Sequence, residues 1–289
     1  MTTWFITGAS SGFGQAFATH GLSRGYNVVA TARDPSKITV RDRDRVLAVP
    51  LDVDTPGDAQ RAIDAGVKRF GGIDVVINNA GFGIVGAVEE TPESELRALM
   101  ETNFFGAVAV IRAALPILRS QGHGAIVNIS SIGGQLSFAG FGAYSAAKFA
   151  LEGMSEALAQ EVAPFGIKVL IVEPGNFRTN LLGSGTRAMP VIEAYRATVG
   201  GTREFVTDMH GTQAGDPLKA AEAIDQALNA DRTPLRLQLG EDAIAAVRQH
   251  AQSLLAELEA WRSVGANTKF DGDDGGSLRL PEPASQRGT

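Results

Sequence analysis

Phe5-Ile6-Thr7-Gly8-Ala9-Ser10-Ser11-Gly12-Phe13-Gly14 is the stretch on which the reading of the fold turns. Phe5 to Thr7 has the length and apolar character of a buried strand, and glycines follow at 8, 12 and 14 before a helix-compatible run. Glycine lets the backbone turn tightly and lets a pyrophosphate come close to it. The start of a helix supplies unpaired N–H groups and the positive end of its dipole. The spacing departs from the G-x-G-x-x-G pattern of most dinucleotide folds, and a glycine-rich turn by itself is weak evidence. Its position between a first strand and a first helix makes it a candidate phosphate cradle, with Gly8, Ser10, Ser11, Gly12, Phe13 and Gly14 as the expected contacts.

Outward from this stretch, short Val- and Ile-rich runs recur at Val28–Thr31, Val46–Val49, Val75–Ile77, Ile126–Ile129 and Val169–Val172. They lack the polar alternation of a half-exposed strand, so they read as strands buried on both faces, as in a parallel sheet. Gln60–Phe70 and Leu96–Leu118 between them have helical periodicity, and Leu235–Leu239 followed by Asp242–Trp261 reads as a last strand and helix. The pattern predicts an α/β fold: one Rossmann-type, doubly wound parallel sheet with helices on both faces, and ligands at the strand carboxyl ends. A single catalytic domain is expected over 1–270. Residues from about 180 to 216 are rich in glycine with scattered bulky apolar side chains, and are expected to form a substrate lid. The Gly-, Pro- and Asp-rich tail 271–289 is expected to be disordered.

Composition excludes several classes. Hydrophobic residues are 44% and charged residues 20% of the 289, enough for a substantial core. A net charge of -6 argues against nucleic acid, whose phosphates demand a basic face. With no cysteine, thiolate metal sites, disulfides and cysteine nucleophiles are out, and the four histidines stand at no metal-ligand spacing. No basic, apolar leader opens the chain, and Phe104–Val110 is too short a run to span a bilayer, so no membrane association and a cytoplasmic location are expected.

Tyr144 and Lys148 are four apart in Phe141–Ala163, a helix-favouring segment, and therefore share a face. A lysine ammonium favours tyrosinate and would bring the phenol's pKa of about 10 towards the range where it exchanges protons. Such a pair is more often an ordinary surface pair, so context has to decide. Thr7-Gly-x-x-x-Gly-x-Gly, Asn78-Asn79-Ala80-Gly81 and Tyr144-Ser-Ala-Ala-Lys148 together resemble the short-chain dehydrogenase/reductase family over residues 3 to 262. Ala32-Arg33-Asp34 and Glu173-Pro174-Gly175 look most like the branch of hydroxysteroid-dehydrogenase-like carbonyl reductases.

The resemblance implies hydride transfer between a nicotinamide cofactor and a carbonyl or alcohol, with Tyr144 as acid/base, Lys148 beside it and no metal. It selects Ser131, thirteen residues before the tyrosine, to hold the carbonyl oxygen, with Ser130 as the rival. It implies that Asn103 interrupts its helix and holds a water near the lysine, against the plainer reading of an asparagine capping its own helix. Asp52, with Val53, would meet the adenine, unless Asp52 is simply a turn aspartate. Asn79, Ala80 and Gly81 would line the adenine ribose side, and Pro174, Gly175, Phe177 and Thr179 the nicotinamide carboxamide.

Arg33 at the end of the second strand, where NAD-preferring relatives carry an acid, implies NADP(H) as the preferred cofactor with NAD(H) possible, and Ser11 as a second contact to the 2′-phosphate. Asp34 weakens that inference if it turns inward, and Arg33 could be a plain solvated residue. Phe82, Ile84, Gln135, Phe138, Phe141, Phe177, Leu181 and the bulky lid residues Tyr195, Phe205 and Met209 suggest an apolar pocket for a small apolar carbonyl or alcohol. Family members pair through helices equivalent to 96–118 and 142–163, which implies a homodimer or tetramer. The alternatives are an NAD-linked alcohol or hydroxysteroid dehydrogenase, and a catalytically silent cofactor-sensing protein.

Overall fold

Trp4 and Ile6 point to one side of the first strand and Phe5 to the other, and all three are buried, the first two in one core and Phe5 in another. The same holds for Val28 and Ala30 against Val29, and for Val75 and Ile77 against Val76, which is why these strands read as unbroken apolar runs. The computed structural model describes residues 1–268 and Phe270. The expected disorder of 271–289 lies outside the described residues.

In chain order the elements are β1 (Thr3–Ile6), α1 (Gly12–Ser23), β2 (Asn27–Ala32), β3 (Val46–Pro50), α2 (Asp58–Phe70), β4 (Val75–Asn78), β5 (Gly83–Val85), α3 (Glu93–Met100), α4 (Gly106–Gln121) and β6 (Gly124–Ile129). They continue with α5 (Gly142–Val162), β7 (Ile167–Pro174), β8 (Thr186–Ala188), α6 (Arg196–Met209), α7 (Pro217–Asn229), β9 (Arg236–Leu239) and α8 (Glu241–Ala266). Seven strands form one parallel sheet in the order β3-β2-β1-β4-β6-β7-β9. The chain runs outward from β1 to β3, returns to β4 on β1's other side, and so reverses direction between β1 and β4. That reversal opens a crevice at the strand carboxyl ends. Phe17 of α1 and Ile224 of α7 cover one face, while Ile63 of α2, Ile111 of α4 and Leu158 of α5 cover the other. The doubly wound sheet expected from the sequence is the architecture found.

The expected helix Leu96–Leu118 is two helices joined by a π-turn at Glu101–Phe105, in which Gly106 N–H bonds Glu101 O, five residues back. By length and composition Glu93–Gln121 could cross a membrane, contrary to the reading of its apolar run as too short. Here Leu99, Val110, Ile111 and Leu118 are packed into the protein's cores.

The segment 180–216 is built rather than loose. Its β8 pairs in parallel with β5 in a two-stranded sheet, Thr186 opposite Gly83 and Ala188 opposite Val85. Met189 is buried against Ile84, Leu99 and Ala147. Glu90 fastens it further, its carboxylate accepting from Ala87 N (2.7 Å), Ile192 N (2.8 Å) and Arg203 Nη2 (2.7 Å). Those bonds, led by the two backbone amides, hold the Glu90 carboxyl down at about 2.

Candidate active site

The glycine turn is held open from beneath. Thr7 Oγ1 accepts from Asn79 N (2.8 Å) and Ala80 N (2.9 Å), and Asn79 Nδ2 donates to Thr7 O (2.9 Å). These bonds lash the end of β1 to the end of β4, across the crevice. Gly8 and Gly12 have φ of +67° and +53°, the left-handed region that favours glycine. Gly14 serves packing instead: a Cβ there would collide with the Gly8 carbonyl and come within 2.7 Å of Asn79 Nδ2. Ser11, extended just before α1, makes no capping bond with its hydroxyl.

A cavity of about 840 Å³ lies over the turn and the strand ends. Gly8, Ser10, Ser11, Gly12, Phe13, Arg33, Asp52, Val53, Asn79, Ala80 and Gly81 line one part of it. Asn103, Ser131, Tyr144, Lys148, Pro174, Gly175, Phe177 and Thr179 line the rest. Of the anticipated cofactor contacts, Gly14 alone is not on its wall. Four anticipated pocket residues are also elsewhere. Ile84 is fully buried on the small sheet, against Leu99 and Ala147, Gln135 is bonded to Glu152 and Glu173, Tyr195 Oη donates to Glu89 (2.5 Å), and Met209 lies off the wall at the end of α6. Phe82, Phe138, Phe141, Phe177, Leu181 and Phe205 do line it.

At the mouth, Arg33 is exposed and has no hydrogen-bond or carboxylate partner among the described residues. Asp34 turns away from the cavity to cap the turn Pro35–Lys37, accepting from Ser36 N (3.1 Å) and Ser36 Oγ (2.6 Å). Those bonds lower the Asp34 pKa. Asp52 accepts from Asp54 N (3.2 Å), so it both shapes a turn and faces the cavity.

On the floor, Ser131 caps the turn Ile132–Gly134, its Oγ accepting from Gly133 N (3.0 Å). Its hydroxyl and the Tyr144 ring meet over Gly133, on the same cavity wall. Ser130 turns the other way and donates to Glu152 Oε1 (2.7 Å), a wholly buried contact. Lys148 Nζ donates to Ile129 O (2.8 Å) and sits 5.7 Å from the centre of the Tyr144 ring. Burial drives the Lys148 pKa down to about 8, against the opposing pull of Glu152.

The expected lowering of the Tyr144 pKa is not what the chain alone produces. Burial raises it, and the neighbouring Ser131 hydroxyl only partly offsets that. Asn103 does not cap its own helix. Its Oδ1 accepts from Phe82 N (3.0 Å) and its Nδ2 donates to Phe82 O (2.9 Å), a two-point clamp made possible by the π-turn.

Three contributors were not anticipated. A Cβ on Gly133 would lie 3.2 Å from Tyr144 Cε1 and 3.4 Å from Ser131 Oγ, so a side chain there would push the two apart by a few tenths of an ångström. Asp242, at the start of α8, accepts from Asn176 N and Nδ2 (2.8 Å each) and crowds Gly175, fixing the loop after β7. Glu152 and Glu173 lie buried behind Ser130, bridged by Gln135 Nε2 and by Arg236 Nε, which is 3.0 Å from one and 3.2 Å from the other. Only Glu152, one turn beyond Lys148 on a helix, had a signal that could have been read.

A family model described as short chain dehydrogenase matches residues 2–190, almost two thirds of the chain and every strand that frames the cavity floor. The protein belongs to the short-chain dehydrogenase family. This short-chain dehydrogenase is 42% identical over 265 residues to the oxidoreductase BOA17 of Botryotinia fuckeliana, covering 90% of this chain and 97% of that one. A crystal structure of a short-chain dehydrogenase from Streptomyces avermitilis superposes with a TM-score of 0.88 at 48% identity, covering 93% of this chain and 100% of the other. A Burkholderia cenocepacia short chain dehydrogenase in complex with NADP superposes at 0.70 with 27% identity, over 91% and 96%. A Burkholderia phymatum family member in complex with NAD shares the fold at 0.77 and 23% identity, over 89% and 95%. The protein is an NAD(P)-dependent oxidoreductase. Its cavity fits such a cofactor: the left-handed backbone at Gly8 and Gly12 turns the chain along the cavity wall and opens α1 there, where a helix start can meet phosphates. The buried hydroxyl of Ser145, on the same wall, has no partner.

Proposed function

We propose that this short-chain dehydrogenase interconverts a ketone or aldehyde and the corresponding alcohol, with NADP(H) preferred and Tyr144 as the proton donor and acceptor. The observation that carries the reading is the Ser131–Tyr144 hydroxyl pair facing a largely apolar cavity, with Lys148 held beneath it. Bound nicotinamide supplies or accepts the hydride. In reduction, Ser131 and Tyr144 both donate to the carbonyl oxygen, meeting the charge that develops there, and Tyr144 then gives up its proton. In oxidation Tyr144 takes the proton from the alcohol. Because burial raises its pKa, Tyr144 needs positive charge nearby to act as a base, and the Lys148 ammonium is placed to provide it. Asn103 acts on the wall, locking Phe82 and the strand that follows it.

Phe82, Phe138, Phe141, Leu181 and Phe205 favour an apolar substrate, in keeping with the carbonyl-reductase branch. NADP(H) is favoured because Arg33 is uncommitted and Asp34 is turned away, while Ser11 offers a free hydroxyl. Exposed Phe105 and Phe149, on the helical face expected to pair, support a homo-oligomer. A panel of apolar ketones and aldehydes, followed by loss of NADPH absorbance, tests the reaction class. Turnover of several of them is expected, and oxidation of none would overturn it.

A further inference from the structure

α8 leaves the body almost as soon as it begins. Ala243 is its one buried residue, and every residue from Ala251 to Ala266 is exposed. That exposed length is not polar all round. Ile244, Val247, Ala251, Leu254, Leu258 and Trp261 follow one another at alternating steps of three and four, and Leu254, Leu258 and Trp261 are 53%, 60% and 64% exposed. Steps of three and four over about two and a half heptads are a heptad seam, which buries its stripe only against another helix. In proteins most of a helix's stability comes from packing an amphipathic face rather than from propensity, and the exposed length of α8 has no such packing within one copy.

We propose that the seam is covered by α8 of a second copy of this chain, running antiparallel. The stripe is complementary to its own reverse. When Ala251 faces Leu254 of the second copy, Val247 faces Leu258 and Ile244 faces Trp261, so each layer sets a smaller side chain against a larger one. The flanks agree: His250 comes opposite Glu257 of the second copy, and Arg248 comes beside its Glu259. The two helix dipoles oppose each other favourably. At about 39 Å long, the paired helices would keep the two bodies at opposite ends. A parallel pair would gain a Glu257–Arg262 contact, worth little at a surface. It would set Ala251 against Ala251 and Trp261 against Trp261, with both bodies at one end. α8 carries Glu241, Asp242, Glu257 and Glu259 against Arg248 and Arg262, which disfavours an anionic lipid surface as the occupant.

The test is the mass of the full chain by sedimentation velocity, with and without Leu254→Glu plus Leu258→Glu. Both positions are exposed in the single copy, so the variant should fold and keep its NADPH affinity. Its mass is expected to be half that of the parent. For orientation, Val247→Cys and Leu258→Cys chains, otherwise free of cysteine, are mixed and oxidised. Cross-linking between the two kinds of chain is expected. An unchanged mass, as when the chain's own C-terminal residues cover the stripe, overturns the proposal. So does Val247→Cys cross-linked to itself. Flotation of the parent on phosphatidylcholine/phosphatidylglycerol vesicles, lost in the double variant without a change of mass, overturns it in favour of a membrane.

Discussion

Arg33 and Asp34 are neighbours with opposite tasks. Asp34 spends its carboxylate on Ser36, and Arg33 is left at the cavity mouth with five donors uncommitted. If Arg33 holds a 2′-phosphate, NADPH should be used at least tenfold better than NADH in kcat/KM, about 1.4 kcal/mol. Arg33→Ala should remove most of that gap by weakening NADPH and leave NADH almost unchanged. Equal use of both cofactors by the parent would contradict the assignment. Lys148 makes a second prediction. With a pKa of about 8 it is cationic below that pH and neutral above it. Reduction at saturating cofactor should therefore decline as pH rises through about 8. Glu152 is the charge opposing the effect of burial, so Glu152→Gln should move the decline to lower pH; a profile flat to pH 10 would contradict the role given to the ammonium. Tyr144, Lys148, Ser131 and Arg33 could all be picked out in the sequence because each sits at a fixed offset from a motif. Gly133, Asp242 and the Glu152–Glu173 pair could not, because their meaning comes from partners on other elements.

At the scale of elements, legibility followed burial. Strands buried on both faces announced themselves by their Val and Ile runs, whereas β8 is Thr186-Arg187-Ala188, largely exposed and joined to β5 by backbone pairing across a hundred residues. α6 has Gly200-Gly201 at its middle, a poor helix by propensity, and is kept helical by burying Val199 and Val206. α7 was legible but not read. Asp216 caps it, Pro217 opens it, and Ala220, Ile224 and Leu228 give it a buried face. The segment 180–216, read from its glycines as a lid, hangs on Glu90, which takes bonds from body and segment alike. Glu90→Ala leaves the Arg203 guanidinium and two amides without that acceptor. KM for a ketone should rise several-fold and proteolysis within 186–209 should quicken, with NADPH affinity little changed. If KM and cleavage both match the parent, the segment does not depend on this tie.

Over the whole molecule, the site is where the sheet reverses, and the buried cluster behind it joins α5, β7 and β9. Burial raises Glu173 to about 7, and neighbouring Glu152 adds to the rise against the Gln238 bond and Arg236. A carboxyl whose folded pKa lies above its ordinary 4.5 binds more protons folded than unfolded between those values. Its contribution to stability is complete below 4.5 and is lost as pH rises through about 7. Tm should therefore fall by about a few degrees from pH 5 to 8 on this account. Glu173→Gln should flatten that slope, and an identical slope in the variant would place the pH dependence elsewhere.

The central claim is that one phenol moves the proton. Tyr144→Phe removes only its oxygen and keeps the ring against Phe141 and over Gly133. The direct measurement is kcat on a good ketone beside NADPH affinity by fluorescence titration, for parent and variant. The account predicts unchanged NADPH affinity and a kcat lower by about 10²–10⁴-fold. A variant that keeps more than about a tenth of parental turnover would contradict it.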